Sequence, residues 1–164
     1  VKEEVDVERM LVSGVALDKK AARISVMGLK DEPGIAFRLF QILAKNNINV
    51  DIILQSIGRE NTKDISFTVN EEEADEVVAL IEENKSRITA KEVNCNKSVA
   101  KVSIVGAGMM SNPGVAAKMF EALYDAGVNI LQISTSEIRV SVLVEEKYVN
   151  EAAQAVHDAF ALSR

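Results

Sequence analysis

Asp31 stands two residues before Pro33-Gly34, where an apolar-periodic segment begins, and this grouping is the one in the sequence best suited to binding chemistry. The amides of Gly34, Ile35 and Ala36 should open a helix, presenting N–H groups at the positive end of its dipole, where a carboxylate is stabilised. Gly34 lets a ligand approach the backbone closely. Asp31 is placed to meet an ammonium, and Gln55, at the end of the strand that follows, can hydrogen-bond a ligand's side chain or carboxyl group. A zwitterion needs that combination of charges. The plain alternative is a helix-capping loop that binds nothing.

Bond-making chemistry has little to work with. Cys95 and His157 are the only residues of their types, so no disulfide, ordinary zinc site or Cys–His pair is expected, and no catalytic residue or metal ligand is assigned. Cys95 reads as a small strand residue and His157 as a surface side chain on a late helix. Met109-Met110 reads as loop packing, and Glu71-Glu72-Glu73 as a solvated helix start. Gly106-x-Gly108 hints at a dinucleotide loop, but Ser111 stands where its third glycine belongs and too few residues remain for a nucleotide fold.

Formal net charge is −6 with the acids scattered, which argues against a nucleic-acid or anionic-membrane surface. Apolar runs such as Ile52-Ile53-Leu54 fall far short of the ~20 residues of a membrane span, so a cytoplasmic setting is the default. The chain opens at Val1 with a charged run and without Met, the expectation being a piece of something longer.

The elements that would position the loop emerge from an internal repeat. Ile24-Ser25-Val26-Met27-Gly28 resembles Val102-Ser103-Ile104-Val105-Gly106 at an offset of 78, and Pro33-Gly34-Ile35-Ala36 resembles Pro113-Gly114-Val115-Ala116 at 80. Ile48-Asn49-Val50 meets Val128-Asn129-Ile130 at 80, and Ile65-Ser66-Phe67 meets Val140-Ser141-Val142 at 75. Each copy reads as strand, helix, strand, strand, helix. Strands are predicted at 23–28 and 101–106, and hairpins at 49–56 with 64–69 and 129–136 with 139–144. Pro33 and Pro113 suit a first helical turn. Apolar positions 36, 37, 40 and 43, and 116, 119, 120 and 123, each define a helical face, and second helices are predicted at 72–85 and 146–160.

The first copy can end in a strand at 88–95, but the second runs out at Arg164, while Met10–Leu17 has no partner. The simplest repair makes 10–17 the last strand of the second module. The expected architecture is α+β: two interlocked βαββαβ ferredoxin-like modules, 18–97 and 98–164, with antiparallel sheets and helices on one face.

Asp31-Glu32-Pro33-Gly34, the helix after it, and Asn46 through Gln55 resemble an ACT domain, the amino-acid-responsive module of biosynthetic enzymes. Val99 through Met109, then Asn112-Pro113-Gly114-Val115, Ser134-Thr135-Ser136-Glu137-Ile138-Arg139 and the opening Ser13-Gly14-Val15-Ala16-Leu17-Asp18 closely resemble the tandem regulatory region of aspartate kinases. The resemblance spans residues 11–162.

The resemblance implies a feedback region that senses threonine, lysine or both, pairs with a second copy, and inhibits a kinase that phosphorylates aspartate. Nothing here resembles the kinase domain, so ATP and Mg would belong to that domain or subunit, and this chain alone is not expected to phosphorylate anything. The implied effector site comprises Asp31, Gly34, Ile35, Ala36, Gln55 and Ser66, with Asn129 and Ile130 from a partner's second module. A weaker second pocket comprises Asn112, Gly114, Val115, Ala116, Asn49, Val50, Thr135 and Ser136, since Ser111-Asn112 replaces Asp31-Glu32 and removes the anion. In related kinases, positions matching Ser136 and Gly58 bear on feedback sensitivity. The alternatives are a stand-alone ACT subunit of another biosynthetic enzyme, such as an acetolactate synthase regulator, and a small enzyme on the same scaffold.

Overall fold

The computed structural model describes residues 12–106 and 113–160. The chain divides into two compact units, Lys20–Lys97 and Ser98–Arg164 with Val1–Lys19. The elements run β1 (Val12–Lys30), α1 (Ile35–Lys45), β2 (Asp51–Ile57), β3 (Thr62–Asn70), α2 (Ala74–Glu83), α3 (Lys85–Ile88), β4 (Glu92–Gly106), α4 (Pro113–Asp125), β5 (Gln132–Thr135), β6 (Arg139–Glu145) and α5 (Val149–Ala159). Short 3₁₀ turns at Glu71–Glu73 and Glu146–Tyr148 lead into α2 and α5.

The strand order is β2-β3-β1-β4-β6-β5, and the registered pairs β1/β3, β2/β3, β4/β6 and β5/β6 are antiparallel. Within Lys20–Lys97 the order is therefore β2-β3-β1-β4, the ferredoxin-like arrangement expected from the repeat. In its core Ile24, Val26, Ile65 and Phe67 of the sheet meet Ile35, Leu39 and Leu43 of α1 and Val77 and Ile81 of α2. Each such fully buried side chain contributes roughly 1.5–3 kcal/mol. In the other unit Val102, Ile104, Val140 and Val142 meet Val115, Met119, Leu123, Val156 and Phe160, and Val15 of β1 packs against this cluster.

Several expectations are corrected. The two strands read around 10–17 and 23–28 are one strand among the described residues, β1, because Leu17–Lys20 is exposed and carries no alternation to read. Residues 88–95 and 101–106 likewise do not make two strands: Ile88 closes the short helix α3, and β4 runs unbroken from Glu92. Phe37 is 66% exposed, and the face of α1 that enters the core is Ile35, Leu39, Ile42 and Leu43. Pro33 lies before α1, whose cap is Gly34, whereas Pro113 is the first residue of α4. The expectations for Met10, Leu11, Gly108, Met109, Met110, Ser111, Asn112 and the last four residues fall outside the described residues.

Candidate ligand-binding site

Asp31 follows directly from the end of β1, and three neighbours fix the loop it opens. Its amide donates to the carbonyl of Asn61 at 2.8 Å, tying the loop to the β2–β3 turn. That turn is left-handed at Glu60 and Asn61 (φ 52° and 61°), as a tight hairpin requires. The amide of Lys30 donates to Thr89 Oγ1 at 3.0 Å, and Arg38 Nη1 of α1 donates to the Arg87 carbonyl at 3.4 Å, so α3 braces the loop and the first turn of α1 together.

Gly34 enters α1 with φ 92°, a conformation that only glycine adopts without strain. No side chain caps this helix end, which removes the plain reading of Asp31 as a capping residue. The Asp31 side chain is 54% exposed, and its carboxylate lies 3.7 Å from Lys63 Nζ, whose side chain is only 11% exposed. Asp31, Gly34, Ile35 and Ala36 thus form one group at the start of α1. Ile35 can offer only its amide, which here makes a long 3.5 Å bond to the Glu32 carbonyl, because its side chain is fully buried in the core.

The pleat sorts the remaining residues. Gln55 is opposite Ile65, whose side chain is in the core, so Gln55 projects to the helix-bearing side with Lys63, which is opposite Ile57. Ser66 is one residue out of step and projects to the other side, where its hydroxyl meets that of Ser25 at 3.1 Å. Within this chain Ser66 therefore stands apart from the Asp31 group. Asn129 is exposed and Ile130 half-buried against the second core, on the connection between α4 and β5. Asn49 and Val50 hold the matching places before β2, with Val50 against the first core.

In the second unit Gly114 is exposed at the start of α4, Val115 is fully buried and Ala116 is half-buried against the core. Thr135 ends β5 and is exposed. Ser136 makes the turn to β6: its amide donates to the Arg139 carbonyl at 2.8 Å, and its hydroxyl accepts from the Ile138 amide at 3.4 Å. Gly58 closes the β2–β3 turn by donating to the Thr62 carbonyl at 2.8 Å. A Cβ there would come within 2.5 Å of Thr62 Oγ1, so a larger residue displaces the turn that holds Asp31. Among the described residues no cluster of His, Cys, Asp and Glu is arranged to hold a metal ion, and no helix is long and apolar enough to cross a membrane.

Lys63 was not read as a site residue. It shares the parity of Ile65 and Phe67 on β3, so a lysine there faces inward. That misplaced charge in an alternating strand was the available signal.

The family model for the ACT domain matches residues 24–84 and 102–160. A second comparison narrows this: the chain is 43% identical to the regulatory subunit of aspartate kinase from Thermus thermophilus, with a TM-score of 0.85, covering 92% of this chain and 99% of that one. The chain is a tandem ACT region of the aspartate kinase family. It is 44% identical to a chain in the crystal structure of aspartokinase alpha and beta subunits, with a TM-score of 0.84 and coverage of 92% and 99%. It is also 43% identical over 162 residues to the aspartate kinase of Pseudomonas fluorescens, matching 99% of this chain and 39% of that protein. The tandem ACT region thus spans about two fifths of the length of the curated kinases it matches. The first ACT domain carries the Asp31–Lys63 pair and the left-handed Gly34; in the second, Ile138 takes the place of Lys63 at the repeat offset of 75.

Proposed function

We propose that this chain is the feedback-sensing region of an aspartate kinase, binding threonine, lysine or both as a free amino acid. The observation that carries the reading is the start of α1, a helix end without a side-chain cap, entered through Gly34 beside the half-exposed carboxylate of Asp31. The effector's carboxylate takes the amides of Gly34, Ile35 and Ala36, its ammonium takes Asp31, and Gln55 reaches its side chain. Similarity to a separately crystallised regulatory subunit of aspartate kinase supports a role as sensor over one as catalyst.

The second ACT domain forms a weaker pocket around Gly114, Thr135 and Ser136. The N-terminal half of β1 completes that domain, an assignment supported by the packing of Val15 on its core. Two copies pair through strand edges: β2 ends the strand order and exposes Ile53, Leu54 and Ile57, the last to 91%. Asn129 and Ile130 of one copy then join the Asp31 site of the other. Binding regulates an associated kinase only through unequal affinity for two arrangements of the assembly.

Calorimetry with threonine, lysine, methionine and isoleucine tests the reading. Saturable heat with threonine or lysine is expected, and neither heat nor a thermal shift with any of the four overturns it. Chain mass in dilute solution tests the pairing, for which twice 17.9 kDa is expected.

A further inference from the structure

Lys63 occupies a place where a lysine is costly. It lies on the inward side of β3 between Leu29 of β1 and Ile57 of β2, and nine-tenths of its side chain is out of water. Burial of the stem fixes where its ammonium can go, so little further entropy is lost when that ammonium engages a ligand. Its partner is Asp31 at 3.7 Å, beyond the roughly 3.2 Å of a well-made hydrogen bond. Asp31 is held from behind through its amide, on Asn61, with its carboxylate half in solvent. The loop that Asp31 opens leads into a helix end that is itself positive and has no side-chain cap. Folding thus brings two positive features, the Lys63 ammonium and the start of α1, to the loop that carries Asp31.

We infer that Lys63 is a specificity-determining residue of the first ACT domain, selecting amino acids with an uncharged side chain over those with a cationic one. The inference rests on the effector reading above. An α-amino acid with a neutral side chain completes an alternation of charge: its ammonium goes to Asp31 and its carboxylate to Lys63 and the helix amides. A basic side chain adds a second cation to a site where Lys63 already places one, while the Asp31 carboxylate is engaged by the α-ammonium. Like charge at short range in a half-buried site is the repulsive element from which discrimination is built. The repeat supplies an internal contrast. At the matching positions the second ACT domain has Ser111 for Asp31 and Ile138 for Lys63, so acid and base are replaced together.

The test is calorimetric titration of threonine and of lysine into the unaltered chain, Lys63→Met and Lys63→Gln. The unaltered chain should bind threonine more tightly than lysine. Both variants should lose about tenfold or more in threonine affinity and show a smaller ratio of threonine to lysine affinity. Replacing a buried lysine by an apolar chain of similar length is often neutral or stabilising, so Lys63→Met should melt as the parent does; Lys63→Gln keeps the test available if it does not. If the unaltered chain binds and the ratio is the same in both variants, or if it prefers lysine, the inference fails while the effector reading survives. If the unaltered chain binds neither amino acid, the effector reading fails and the inference with it.

Discussion

The two ACT domains share a framework and differ where ligands would touch them. In both, a serine pair crosses the side of the sheet away from the helices: Ser25 to Ser66 at 3.1 Å in the first and Ser103 to Ser141, both buried, at 2.6 Å in the second. In both, an apolar helix face closes the core. The first domain adds a bulge at Gly28, the brace α3, a seven-residue β2 and a charged loop, against a four-residue β5 in the second. The framework can be held by many apolar combinations. The loop depends on particular groups, namely Gly34, Asp31 and Lys63, and of these the second copy keeps the glycine and replaces the acid and the base.

The contrast can be broken first in the cores. Phe67 is fully buried and meets Phe40 edge-on at a centroid distance of 5.6 Å; Phe67→Ala should cost about 3–5 kcal/mol in urea unfolding. Its counterpart Val142, equally buried, should cost roughly 2 kcal/mol as Val142→Ala. Equal losses would mean that the first core does not depend on its aromatic pair.

Next comes the loop. Asp31→Ala should weaken effector binding about tenfold by calorimetry while the chain stays folded, and Ser111→Ala should alter binding far less. A smaller effect belongs to Gly28, which is left-handed at φ 72° and donates its amide to Asp64 Oδ1 at 2.9 Å. A Cβ there would meet the Lys91 side chain at 2.8 Å, so Gly28→Ala should cost about 1–2 kcal/mol from backbone strain.

The smallest effect is electrostatic and lies outside the loop. Burial pushes the Cys95 thiol up, Lys97 pulls it back and Asp75 pushes it further up. Lys97 is itself raised by its hydrogen bond to Asp75, 2.7 Å away. Asp75→Asn removes one cause that raises the thiol, so more thiolate is present at neutral pH and Cys95 should alkylate faster with iodoacetamide. Slower labelling would contradict this account.

Much of the framework was legible in the sequence because alternation on strands and three-four spacing on helices report burial directly. The repeat exposed the site loop as well, since Pro-Gly recurs at a fixed offset while the acid before it does not. What escaped is instructive. Leu17–Lys20 and Asn94–Lys97 are strand interiors carrying mostly polar residues, so periodicity had nothing to register. Phe37 was read onto one helical face with positions 36, 40 and 43 because it is apolar, yet it projects outward, two positions from both Ile35 and Leu39 and so across the helix from them. Lys63 was passed over because its partner lies 32 residues away in sequence, and only folding brings the two charges together.

The division of the chain has a practical corollary for anyone cutting it. Lys20–Lys97 is a contiguous stretch nested inside the other unit, whose own segments flank it on both sides like a parenthesis. The inner piece can be excised as one fragment that takes along its share of β1 and β4. The outer piece cannot be obtained by truncation at either end. Recovering it calls for joining Lys19 to Ser98.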